Sequence, residues 1–155
     1  MKHVGWFLIA AGCATSPEAP ESTGTFSAAP TATHARATQG NINYNGALLH
    51  KWTVFLSTTE GCAGDTVVSV ELDTLLATVD IPLGATPLRP DQMTIVPPLP
   101  SAFLSYPGAT TTSGTVTVGS ATASFVVGSF DAMVTVGGAP ATYTGTFSAP
   151  VCAAP

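Results

Sequence analysis

Charged residues are scarce in this sequence, since only four of its 155 residues are Lys or Arg and nine are Asp or Glu. Proteins that bind nucleic acid through its phosphates need a stripe of basic residues, which so few cations cannot form. Long apolar runs are also missing, because no uninterrupted stretch approaches the roughly 20 residues of a membrane-spanning helix. The composition therefore predicts neither a nucleic-acid partner nor a helical membrane protein.

Motifs for catalysis and metal binding are missing as well. Residues 39–155 contain one histidine, His50, and no Gly-x-Ser-x-Gly nucleophile elbow. His50 in a triad and a calcium site of acidic side chains remain alternatives, but no loop has EF-hand spacing. The acidic residues considered for that site are Glu71 and Asp73 on one predicted strand and Asp65, Asp80 and Asp91 near loops. We expect no catalytic residue, no bound metal and no cofactor.

The chain begins with features of a secretory signal peptide. Met1-Lys2-His3 is a short basic start, and Val4–Ala11 is an apolar stretch of the length found in the hydrophobic region of such peptides. This stretch is too short to span a bilayer. The sequence therefore predicts a signal peptide over residues 1–12.

The tetrapeptide Ala10-Ala11-Gly12-Cys13 resembles the lipobox of bacterial lipoproteins, although Ala10 stands where Leu is commonest. The resemblance implies that the Cys13 thiol carries a diacylglyceryl group, that cleavage precedes Cys13, and that the new amino terminus is acylated. Ala14, rather than Asp, follows the cysteine, which in this family implies transfer to the outer membrane. The alternative is an ordinary signal peptide cut beside Gly12 or Ala14, with Cys13 a bystander.

The number of cysteines favours the lipid anchor. An exported chain with three cysteines keeps an odd thiol, whereas lipidation of Cys13 leaves Cys62 and Cys152 as an even pair. We expect these two to form a disulfide bond. A redox-active role is disfavoured, because no Cys-x-x-Cys motif is present.

The remainder of the chain divides into a tether and a β domain. Residues 13–38 are rich in Ala, Thr, Ser and Pro, with Phe26 the only large apolar side chain, and this composition predicts a flexible linker. Residues 39–155 are predicted to form the domain. Val67–Leu76 alternates apolar and polar residues as a half-buried strand does, and Trp52–Leu56 is a second candidate.

Further short apolar runs follow, and Gly or Pro separates nearly all of them. Short strands at this spacing predict an all-β antiparallel sandwich or flattened barrel of about seven to nine strands. Gly137-Gly138 predicts a hairpin turn before the last strand. The further runs are Ala77–Pro82, Met93–Val96, Ala102–Tyr106, Thr115–Val118, Ala123–Val127, Ala132–Val136 and Thr142–Phe147.

The C-terminal third resembles the ending of a group of lipoproteins from Gram-negative bacteria. The resemblance rests on three strand patterns: Gly-Thr-Val-Thr-Val at 114–118, Gly-Ser-Phe-Asp at 128–131, and Gly-Thr-Phe-Ser-Ala-Pro-Val-Cys at 145–152. It covers about 40 residues of the chain. It implies export and a fold made of strands, and it implies no activity.

Aromatic rings offer a possible ligand site. The large rings outside the clearest core positions are Tyr44, Trp52, Phe103, Tyr106 and Tyr143. Tyr106, before Pro107-Gly108, is the ring most expected to be exposed, whereas Trp52 shares a strand face with apolar residues and is expected in the core. Both are speculative ligand-binding residues.

Taken with the lipobox, these features predict an exported, lipid-anchored protein of the bacterial outer membrane or cell surface. We expect a non-catalytic envelope lipoprotein with a structural or interaction role. The alternative function is a small β-sandwich module that binds a glycan or another ligand. The expected partners are the membrane, through Cys13, and an envelope protein or glycan.

Overall fold

The computed structural model describes residues 24–26, 32–44, 46–58, 62, 66–75, 81–90 and 99–152. Every regular element in these residues is a strand, and none of them belongs to a helix long and apolar enough to cross a membrane. The predicted all-β class is confirmed. The strands are β1 (Gly24–Phe26), β2 (His34–Tyr44), β3 (Ala47–Ser57), β4 (Thr66–Leu75), β5 (Gly84–Pro87), β6 (Ser101–Ser105), β7 (Ala109–Ala121), β8 (Phe125–Val136) and β9 (Ala139–Pro150).

The strands form two antiparallel sheets that pack face to face. One sheet has the order β1-β9-β8-β7-β5, and the other has the order β2-β3-β4-β6. β2 packs on β9 at one side of the sandwich, and β6 packs on β5 and β7 at the other. The predicted antiparallel β-sandwich is therefore confirmed.

The hydrophobic core lies between the sheets because side chains on each strand alternate between its two faces. β3 contributes Trp52, Val54 and Leu56, which are at most 5% exposed. β9 contributes Tyr143 and Phe147 from the opposite sheet, and both are buried. The predicted strand at Trp52–Leu56 is thus confirmed, and the face that carries Trp52, Val54 and Leu56 is the inner face of the sandwich.

The sandwich begins earlier in the chain than the predicted boundary at residue 39. Strand β2 starts at His34, and β1 pairs with β9 so that Phe26 lies opposite Tyr143. The prediction that the whole of 13–38 is a linker is therefore wrong for residues 24–26 and 34–38. Composition misses these strands because backbone pairing holds them, and because small side chains such as the fully buried Ala37 suffice at a close sheet contact.

Three strands of the five-stranded sheet are longer than the predicted short runs. β7 has 13 residues and β8 and β9 have 12 each, and the runs Ala123–Val127 and Ala132–Val136 both fall largely within β8. Gly128 therefore lies inside a strand and does not end one. The run Met93–Val96 lies outside the described residues, as does all of Ala77–Pro82 except its last two residues, which form no strand.

Gly128 lacks a side chain because two neighbours occupy the space beside it. A Cβ built on Gly128 would collide with the Thr117 carbonyl oxygen and would lie 2.7 Å from Cζ of Phe147. Phe147 pairs with Gly128 across β8 and β9, and its buried ring takes this space. A glycine in mid-strand is weak locally, and here it permits the close packing of an aromatic ring on the sheet.

Two turns form where glycine and proline predict them. Gly137 and Gly138 have φ values of 57° and 87° and join β8 to β9, as the two-residue hairpin requires. Gly108 has a φ of 80° after Pro107, and the Ala109 N–H donates to the Tyr106 carbonyl over 3.0 Å. This is the geometry of a type II turn.

The packing at Gly128 generates a stability prediction. Gly128→Ala is expected to lower the free energy of unfolding by about 1–3 kcal/mol, because either Phe147 or the β7 backbone must move. Gly119→Ala is the matched control on the neighbouring strand, where the new Cβ would lie 3.8 Å from the Val127 oxygen. Urea unfolding of both variants is the measurement, and equal losses would contradict the packing explanation.

Candidate functional site

A disulfide bond joins Cys62 to Cys152, which are 90 residues apart in sequence and have Cα atoms separated by 5.8 Å. Cys62 is exposed in the connection between β3 and β4, whereas Cys152 follows β9 and is buried. The predicted pairing is therefore present. The Cys152 N–H also donates to the Ala37 carbonyl over 2.7 Å, so the end of β9 is held to the other sheet beside the disulfide.

Cys13, the predicted lipidation site, lies outside the described residues, and so does the signal-peptide-like segment 1–12. Its lipidation stays a prediction. The structure bears on it only through the other two cysteines of the chain, which bind each other.

A cleft of about 640 Å³ opens between the two sheets. β2 and β3 form one wall, and the turn between β7 and β8 together with the segment before β5 forms the other. Its volume is in the range of roughly 300–1,000 Å³ that is usual for small-ligand sites. None of the lining residues in the described part of the chain is charged: they are Gln39, Trp52, Ile81, Leu83, Ala121, Thr122 and Ala123.

Trp52 lies on β3 opposite Gln39 of β2 and is 5% exposed. It packs with Val54 and Leu56 in the core, which confirms the expectation from its strand face. Little of the Trp52 surface is therefore available to a ligand, and its role in ligand binding stays a prediction. What remains is a minor part of the indole at the wall of the cleft.

Tyr106, the ring most expected to be exposed, is only partly so. It packs edge-on against Tyr143, with ring centroids 5.4 Å apart and an interplanar angle of 88°. Tyr143 is completely buried, and this burial raises the pKa of its hydroxyl. The neighbouring Tyr106 raises the same pKa further. Phe103 is 7% exposed, so Tyr143 and Phe103 were wrongly placed outside the core, while the Tyr44 side chain is outside the described part of the structure.

His50 lies on β3 in a buried position that its neighbours define. Its Nδ1 is 3.0 Å from the side-chain oxygen of Asn41, which is opposite it on β2. Its ring also meets the edge of Trp52 at a centroid distance of 6.2 Å. This contact holds the imidazole against the side-chain amide of Asn41.

The acidic residues considered for calcium do not form a metal site in the described part of the chain. There, no group of three or more His, Cys, Asp or Glu residues is placed to hold a metal ion. In the sheet register Glu71 lies opposite Thr53, and Asp73 lies opposite Lys51. Asp65, Asp80 and Asp91 are outside the described residues.

Three basic side chains lie over aromatic rings of the four-stranded sheet, an arrangement that sequence reasoning missed. The Arg36 guanidinium is 4.8 Å from the centre of Phe55, and both Lys51 and Arg89 are 5.8 Å from the centre of Phe103. Such contacts stabilise by roughly 0.5–1 kcal/mol at exposed sites. The Arg36–Phe55 pair is cross-strand, so only the register of β2 and β3 could have revealed it.

Comparison with protein families, with curated proteins and with solved structures finds no match to this chain. Its candidate sites are therefore argued from its own residues: the disulfide, the uncharged cleft and the cysteine outside the disulfide.

The disulfide generates the second prediction. Replacing both cysteines, as Cys62→Ser with Cys152→Ser, is expected to lower the free energy of unfolding by roughly 4 to 5 kcal/mol if chain entropy governs the effect. Cys13→Ser, measured in the same detergent, is the control, because it replaces the cysteine outside the pair and leaves the disulfide intact. Thermal unfolding compares the three chains, and equal stability of the double variant and the parent chain would contradict a stabilising bond.

Proposed function

We propose that this protein is an exported, lipid-anchored envelope protein whose β-sandwich has a non-catalytic interaction role. The observation that carries the proposal is the disulfide between Cys62 and Cys152, which leaves Cys13 as the only one of three cysteines outside the pair. Cys13 is also the cysteine that ends the lipobox-like tetrapeptide. Two separate features, pairing and local sequence, thus select the same residue.

The disulfide also supports export. Disulfide bonds form and persist in the periplasm and at cell surfaces, and they are rare in a reducing cytosol. Cys62 is exposed, so in a reducing compartment small thiols would reach the disulfide directly and could reduce it. Passage through an oxidising compartment fits the signal-peptide-like start of the chain.

Lipid chains on Cys13 would supply the membrane attachment that no described helix provides. Each methylene of an acyl chain that enters the membrane contributes about 0.8 kcal/mol to binding. One chain binds only marginally and reversibly, whereas two chains together make a stable anchor. Residues 14–23 separate Cys13 from β1, and fully extended they reach about 35 Å. The proposed anchor would therefore hold the sandwich closer to the membrane than a linker through residue 38 would.

A non-catalytic role fits the surroundings of His50, the histidine that the sequence offered for a catalytic triad. His50 is buried between Asn41 and Trp52, and its contact with the amide makes it part of the support of the β2–β3 pair. A general acid or base instead needs reach to a substrate proton. The proposed role of His50 is accordingly structural.

Lipidation is tested by Cys13→Ser in the full chain. The variant is expected to leave the membrane fraction and to lose labelling by radioactive palmitate. The chain with Cys62→Ser and Cys152→Ser is the control, since it keeps Cys13 and should stay labelled and membrane-bound. A Cys13→Ser protein that remains with membranes as fully as the parent would contradict the proposal.

The uncharged cleft favours a second candidate function, the binding of a small neutral ligand such as a sugar. Gln39 offers an amide at the cleft wall, and the indole of Trp52 offers an apolar surface beside it. Sugars present this combination of hydroxyl groups and an apolar ring face. Since none of the described lining residues is charged, a strongly charged ligand would lose hydration without gaining an ionic partner among them.

Tryptophan fluorescence tests the second candidate. The chain has two tryptophans, Trp6 and Trp52, and the first lies in the segment expected to be removed. Titration with soluble N-acetylglucosamine oligomers is expected to change the emission of Trp52, and Gln39→Ala is expected to weaken the response about tenfold. Thr38→Ala, the adjacent residue on the other face of β2, is the matched control, and equal responses of both variants would exclude this cleft.

A further inference from the structure

The four sheet edges of the sandwich differ sharply in length. β1, β5 and β6 end their sheets with three, four and five residues. β2 ends the four-stranded sheet with eleven. Short edge strands are a common protection against pairing with other chains, and β2 lacks this protection.

The backbone direction of β2 follows from one hydrogen bond. The Ala37 carbonyl accepts from Cys152, so the polar backbone groups of Ala37 point away from β3. In an antiparallel pair these directions alternate along the strand. The register of β2 with β3 has no shift, so Gln39, Asn41 and Asn43 also point their N–H and C=O groups outward.

In the part of the chain that the structure describes, the other sheet occupies only the beginning of this edge. Val151 pairs with Ala37 in a parallel bridge, and Cys152 bonds to the same residue. Because the bridge is parallel, the chain runs from Ala37 toward Gln39 in the same direction as it runs from Val151 to Cys152. Among the described residues no further strand pairs with this edge, and Gln39, Asn41 and Asn43 are exposed.

The open half of β2 carries no charge and no proline. Residues 38–44 read Thr-Gln-Gly-Asn-Ile-Asn-Tyr, in a chain with a formal net charge of −5. Edge strands usually carry Lys or Pro where pairing must be prevented. A second copy can approach this segment without like charges facing each other, although the whole molecules repel.

We propose that β2 pairs antiparallel with β2 of a second copy of this chain, centred on Asn41. In this register Asn41 faces Asn41 of the second copy, and Gln39 faces Asn43 on either side. All three residues have outward backbone groups, so each opposed pair exchanges two backbone hydrogen bonds. The two four-stranded sheets then become one continuous sheet.

A second copy suits this edge because it supplies the same uncharged segment, so that no charge faces another charge across the pairing. In an antiparallel twofold pairing the same segment runs in opposite directions in the two copies. Its backbone donors and acceptors must therefore be placed symmetrically about the central residue. The outward residues 39, 41 and 43 are evenly spaced about position 41 and meet this requirement. The inference goes beyond the proposed function and does not depend on lipidation of Cys13.

Charges introduced at Gln39 and Asn43 test the pairing and its register. In Q39K/N43K like charges would face each other twice across the interface, and the dimer dissociation constant is expected to rise about tenfold. In Q39K/N43E opposite charges would face each other, and the constant is expected to return to near the parent value. Both variants lose the same hydrogen bond from Gly46 to Asn43, so their comparison isolates charge.

The full chain is purified in mild detergent, so that the measurement is the same with or without acyl groups. Sedimentation equilibrium gives the protein mass against concentration, and circular dichroism checks that each variant is folded. A concentration-dependent dimer, weakened by Q39K/N43K and restored by Q39K/N43E, would support the proposal. A parent chain that stays monomeric, or a dimer that both variants leave unchanged, would overturn it.

Discussion

The two sheets are joined through the backbone at the end of β9, and the rest of the sandwich depends on this junction. The Val151 N–H donates to the carbonyl of Ser124, just before β8 of the five-stranded sheet, while the Cys152 N–H donates to Ala37 in the four-stranded sheet. Consecutive residues thus bond to both sheets. The disulfide from Cys152 to Cys62 adds the connection between β3 and β4 to the same point, so covalent and hydrogen bonds restrain one corner of the fold together.

The sequence predicted strands that have a pattern of apolar side chains, and it missed strands that are held mainly by backbone hydrogen bonds. Trp52, Val54 and Leu56 lie in a short apolar run that a single sequence shows, and in the structure they form the core-facing side of β3. β1 and the first half of β2 have no such pattern. Their contacts are ladders to β9 and β3, which depend on residues far away in the chain.

The same distinction explains the errors at the aromatic rings. Tyr143 sits in a Thr- and Gly-rich strand that looks polar, yet its ring occupies the inner face and meets Tyr106. Tyr106 precedes a Pro-Gly turn, which indicates exposure, but the turn folds the ring back onto the core. The cleft was equally hidden, since Gln39, Ile81 and Ala121 line it from three distant segments.

Scarcity of charge governs how this fold protects its edges. Beyond Lys2 the basic residues are Arg36, Lys51 and Arg89, and all three lie against phenylalanine rings. Arg36 belongs to the half of β2 that β9 covers, so the uncovered half receives no charge. The strands at the other three edges, β1, β5 and β6, have only three to five residues each. The fourth edge, β2, is not short, and its uncovered half is not charged. Its outward backbone groups can bond to water or to a partner strand, and the state that satisfies these groups better is the more stable one.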